Sequence, residues 1–189
     1  MRRYPPFELE FGEAAYRALK DRVSAISIGG RHNATWLRDV DGDTFAINVN
    51  QRDLEFKFEV FSLVIEPISQ TNGLREFEPW PFRAWRAEVL RRDERVVEDV
   101  TVEGAFGEGP HNFQSAEPAG AAATNASAAC EVAAGLLFTG SDDRQLLIAA
   151  DWMPFWTIAS RDQDEIQRFT ADCERVELED YARRYRSRT

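Results

Sequence analysis

The most regular stretch of the chain is "DTFAINV", residues 43–49, in which Phe45, Ile47 and Val49 alternate with Ala46 and Asn48. A period of two puts the large apolar side chains on one face of a strand. The preceding "ATWLRDV" is strand-like as well, and Asp41-Gly42 lies between the two. Asp-Gly suits the centre of a two-residue hairpin, where both residues need positive φ. In the next segment, "DLEFKFEVFSLVIEP", Leu54, Phe56, Phe58 and Val60 share one face opposite Glu55, Lys57 and Glu59. From Phe61 onward it is apolar on both sides, as expected where a strand enters the interior, and Pro67 is expected to stop it.

Other segments fit the same picture. "GEAAYRALKDR", residues 12–22, predicts a helix with Ala15, Tyr16 and Leu19 on one side, and a strand over Val23–Ile28 ends at Gly29-Gly30. Residues 84–102 match two periods. Trp85, Ala87 and Val89 alternate, as do Val96, Val100 and Val102, yet Trp85, Val89, Val96, Val97 and Val100 also fit a helical stripe. The β-branched second arm favours a hairpin turning near Arg92–Glu94. After Glu131, "AAGLLFTG" and "RQLLIAADW" predict a hairpin closed by Gly140–Asp143, and "PFWTIAS" a third strand. A helix over Asp162–Cys173 follows, capped by Ser160 with Gln163 or by Asp162 with Glu165, with Ile166, Phe169 and Cys173 on one side.

Two stretches lack periodicity. Residues 67–82 form a turn-rich connector, and residues 104–128, dominated by Gly, Ala, Pro and Ser, are expected to be a long mobile loop. The expected fold is α+β: a mainly antiparallel, strongly curved sheet or incomplete barrel with one helix near each end of the chain. A single domain over residues 1–189 is the first expectation, and two lobes divided near residues 67–82 the second.

The Asp39, Asp41, Asp43 spacing raises calcium binding and then excludes it. In a calcium loop starting at Asp39 the sixth position should be Gly and the twelfth Glu, but they are Thr44 and Asn50. Gly42 stands where a hairpin needs it. No cofactor motif is present either: there is no phosphate loop, nucleophile elbow or dinucleotide fingerprint, and Cys130 and Cys173 have no metal or redox spacing. Both cysteines are expected to be packing residues in a reduced cytoplasmic setting.

Charge changes the functional expectation most. The 189 residues hold 33 Asp and Glu against 23 Lys and Arg, a formal charge of -10. Such a field repels nucleic acids and anionic membranes and attracts basic proteins. No apolar run reaches the roughly 18 residues of a membrane span. The last nine residues, "YARRYRSRT", carry four Arg and no acid. A frayed, solvated end is expected there, with an arm docked on the acidic body as the alternative.

Candidate chemistry is sparse. His111 in "GEGPHNFQ" is a loop base in search of a partner, and His32 a weaker one in a turn. Glu66 and Asp151 end apolar strands, where a cleft can raise a carboxyl pKa. The aromatic clusters are the better lead: Trp80 and Trp85 in "EPWPFRAW", and Trp152 and Trp156 in "DWMPFW", are candidates for a partner surface. Together these features favour a non-enzymatic, cytoplasmic binding protein that captures a basic protein, as an inhibitor or immunity protein does, or that self-associates. The alternative is a small-ligand protein or hydrolase-type enzyme whose pocket lies at the mouth of the sheet under residues 104–128, using His111, Glu66 and Asp151.

Overall fold

A computed structural model describes residues 2–28, 35–54, 58–69, 76–97, 126–150 and 157–185. It is an α+β fold of two mostly antiparallel sheets and three short helices, and neither sheet closes into a barrel. The first sheet runs β11 (Thr157–Ser160), β10 (Gln145–Ala150), β9 (Ala126–Gly140), β8 (Trp85–Val97), β12 (Glu174–Glu177), with β1 (Arg2–Arg3) added in parallel beside β9. The second runs β2 (Glu10–Phe11), β6 (Phe58–Ile68), β5 (Thr44–Leu54), β4 (Thr35–Asp39), β3 (Val23–Ile28), β7 (Glu78–Pro79). Helix α1 (Glu13–Arg17) continues through a π-helical turn (Ala18–Arg22); α2 (Gln163–Thr170) and α3 (Leu178–Tyr185) come late in the chain. None of the described helices is long and apolar enough to cross a membrane.

The core follows from alternation. Ile47, Leu63 and Ile65 of the second sheet and Val89, Leu136, Phe138 and Ile148 of the first belong to one buried cluster between the sheets. The intervening residues of the first sheet, Leu90, Leu137 and Leu147, pack on its other face against Ile166 of α2. A sheet covered on both faces needs apolar side chains at every position, which is why "GLLF" and "LLIAA" lose the period of two. Asp162 caps α2, its carboxylate accepting from the amides of Asp164 at 2.9 Å and Glu165 at 3.0 Å. Ser160 takes a different part, donating to the Glu165 carboxylate.

The Asp41-Gly42 hairpin exists, but with a loop of different length. The Asp39 amide donates to the Asp43 carbonyl and the Gly42 amide to the Asp39 carbonyl, enclosing Val40, Asp41 and Gly42. Only Gly42 has positive φ, +94°. This is the type I turn with a following left-handed residue, rather than the two-residue turn. The Asp39 carboxylate accepts from the amides of Asp41 and Asp43 and so acts on the turn itself. The later hairpin repeats the pattern, with Asp143 at φ 61° in the Gly42 role.

Three expectations are corrected. β8 is one continuous strand of 13 residues, not a hairpin turning at Arg92–Glu94; it pairs with β9 through both, and β9 shifts register at Leu90/Arg91. "DLEFKFEVFSLVIEP" spans the end of one strand and the start of the next, since Leu54 of β5 pairs with Phe58 of β6. Pro67 does not stop β6, which ends at Ile68. The tail differs as well. Residues up to Tyr185 form α3, with Tyr181 and Ala182 buried, so the docked alternative describes this part and the frayed one does not. Of residues 104–128, the last three lie in β9, and the rest are outside the described residues.

Candidate functional site

The most elaborate polar arrangement among the described residues is where the leading segment of the chain crosses between the sheets. Arg2 and Arg3 pair in parallel with Ala128 and Ala129 of β9, and Glu10 and Phe11 pair in parallel with Val64 and Ile65 of β6. Residues 2–11 are thus a strap with one end on each sheet. Its middle is held by main-chain bonds: the Phe7 amide donates to the Glu131 carbonyl at 2.8 Å, and the Ala133 amide to the Phe7 carbonyl at 3.0 Å. The Ser62 hydroxyl lies at the crossing, within 3.2 Å of the Glu8 carbonyl and 3.1 Å of the Ala133 carbonyl.

Glu8 faces a buried guanidinium. Arg91 of β8 is 6% exposed, and its Nη2 lies 3.3 Å from Glu8 Oε1 and beside Glu131 Oε1, while Nη1 is 3.6 Å from Glu174 Oε2. The Tyr185 ring stacks under the guanidinium at 4.7 Å. The other oxygen of Glu8 accepts from the Tyr181 hydroxyl at 2.5 Å, and that hydroxyl accepts from the Leu9 amide at 2.8 Å. Burial, and then the Glu8 carboxylate beside it, push the Tyr181 hydroxyl well above the usual tyrosine range. It therefore stays a donor. One arginine and one tyrosine join the strap, β9, β12 and α3.

Chemically this hub is a clamp. Its cation is surrounded by carboxylates, and its hydroxyl is engaged both as donor and as acceptor. The cysteines are equally quiet: burial raises the Cys130 thiol, and burial likewise pushes Cys173 up to about 11, so both stay protonated at neutral pH. Among the described residues no cluster of His, Cys, Asp and Glu is arranged to hold a metal ion.

Of the residues singled out from sequence, Trp80 is buried. Its ring meets Phe82, Trp85 and Phe138 edge-on at 5.1–5.5 Å and belongs to the core cluster. Trp85 is half-buried, its indole N–H donating to the Leu19 carbonyl at 2.9 Å. Glu66 is exposed on β6, opposite Ala46, and is not part of the hub. His32, His111, Asp151, Trp152 and Trp156 lie outside the described residues. A cleft of about 340 Å³ lies between Trp80–Ala84 and the second hairpin tip. Arg144 in its wall is engaged, donating to Asp142 at 2.6 Å and to the Pro81 carbonyl at 3.0 Å.

Sequence reasoning missed Arg91, Glu8, Glu131 and Tyr181. For Tyr181 a signal existed: Leu178, Tyr181, Ala182 and Tyr185 fall at the i, i+3, i+4, i+7 spacing of an amphipathic helix. For the others none did. Comparison of the chain with protein-family models, with curated proteins and with solved structures finds no match in any of the three.

Proposed function

We propose that this chain is a non-enzymatic binding protein that captures a basic protein partner through its acidic surface. The observation that carries this reading is where the positive charge is spent. Arg3, Lys20, Arg22, Arg144, Arg161 and Arg175 each lie within 4.0 Å of an Asp or Glu oxygen, as does buried Arg91. Such local pairs cancel their own field, and the excess of 33 acids over 23 bases is left to act outward. Exposed Asp21, Asp43, Glu66 and Asp172 contribute to it. A cytoplasmic setting belongs to the same proposal and is supported by the two free thiols.

Electrostatic capture makes a kinetic demand. Association with the partner should be fast at low salt and slow steeply as ionic strength rises, with dissociation changing less. The test is co-purification from the native source at low salt, followed by rate measurements on the recovered protein. Charge reversal at Asp43→Lys with Glu66→Lys should slow association further. Recovery of an acidic partner, or an association rate indifferent to salt and to these reversals, contradicts the proposal.

A further inference from the structure

The strap sits in a groove built for an extended peptide. Its main chain pairs in parallel with β9 beyond the end of β10, which covers β9 only from Gly135 to Thr139, and there the Tyr4 amide donates to the Ala129 carbonyl at 2.9 Å. Phe7, 3% exposed, fills a pocket with Leu54, Val60, Cys130 and Val132. Arg52 lies over its ring at 4.2 Å and reaches the Pro5 and Pro6 carbonyls at 3.0 and 3.3 Å. Next along the strap, Glu8 and Leu9 are gripped by Arg91 and Tyr181. Edge pairing, an aromatic pocket and carbonyl hooks are the elements of peptide recognition by strand addition.

We infer that this groove also accepts residues 2–11 of a second copy of the chain, giving a reciprocal strap-exchanged dimer. Three features of the strap support exchange. All of the contacts above can be made in trans as well as in cis, so exchange loses none of them. Pro5-Pro6 limits the conformations the free strap can adopt, which lowers the entropy cost of seating it. Gly12, at the join to α1, has no Cβ and so gives the backbone there more conformational freedom than another residue would. The inference is independent of any basic partner.

Because a tethered strap competes at an effective concentration on the order of millimolar, exchange is expected on refolding at high protein concentration rather than on mixing folded monomers. The full chain is therefore unfolded, refolded at low and at high concentration, and sized by light scattering. A parallel high-concentration sample contains synthetic peptide with the sequence of residues 2–11 at about 10 mM, above the effective concentration of the tethered strap. The expected result is monomer at low concentration, dimer at high concentration, and a dimer fraction reduced about tenfold or more by the peptide. The same peptide carrying Phe7→Ala should leave the dimer intact. Monomer at both concentrations, or a dimer insensitive to the peptide, overturns the inference.

Discussion

The crossing at Arg91 and the hairpin tip at Asp39–Asp43 use the same side-chain chemistry to different ends. At the tip, Arg22 and Asp41 pair at 2.5 Å with both side chains well exposed, and the Asp39 carboxylate binds amides two and four residues ahead. At the crossing, Arg91 is buried against Glu8, 83 residues away, and Tyr181 reaches Glu8 across 173 residues. Charge at the tip shapes a turn; charge at the crossing fastens distant segments. Between the two ion pairs solvent decides the difference, since an exposed pair gains little while a buried group that loses its partner is left stranded.

The largest expected effect is therefore at Arg91. Arg91→Ala strands the carboxylates of Glu8 and Glu131 and should cost about 3 kcal/mol in urea unfolding, the low end for a buried pair because the acids keep some water. Tyr181→Phe comes next, at about 1–3 kcal/mol, because it leaves the Leu9 amide without its acceptor. It also alters the alkaline limb. The folded Tyr181 holds its proton above the ordinary value of 10, while the unfolded tyrosine loses its own near 10. The contribution is thus complete below pH 10 and declines as pH rises beyond it, and Tyr181→Phe should flatten that decline.

Smaller effects are expected at the turns. Gly42→Ala forces a side chain into φ +94° and should cost about 1 kcal/mol. Asp143→Gly removes the same penalty at φ 61° and should stabilise by less than about 1 kcal/mol. Arg144→Gln, which removes an exposed pairing with Asp142, should leave the melting temperature unchanged. If Arg144→Gln proved as costly as Arg91→Ala, the contrast between tip and crossing would be lost.

Local rules made the tip legible. Gly42 marked a turn, Phe45, Ile47 and Val49 marked a strand, and Asp162 with Glu165 marked the start of α2. Errors arose where tertiary context overrode the local pattern. β8 carries "RRDER" in mid-strand, which looks like a turn until Arg91 is seen neutralised by acids from three other segments. β5 runs on through polar "NQRD" because β6 pairs with it to Leu54. In α3 the arginines masked the apolar stripe through Leu178, Tyr181 and Ala182. The crossing was illegible for a simpler reason: its members are widely separated in sequence, and no spacing rule connects them.

Amide hydrogen exchange in Tyr181→Phe tests most directly whether the crossing fastens the strap. Removing one hydroxyl should speed exchange at Leu9, Phe7 and Ala133 together, while the amides of Asp41 and Asp43 keep their wild-type rates. Strap amides unchanged, or acceleration spread evenly over crossing and tip alike, would contradict it.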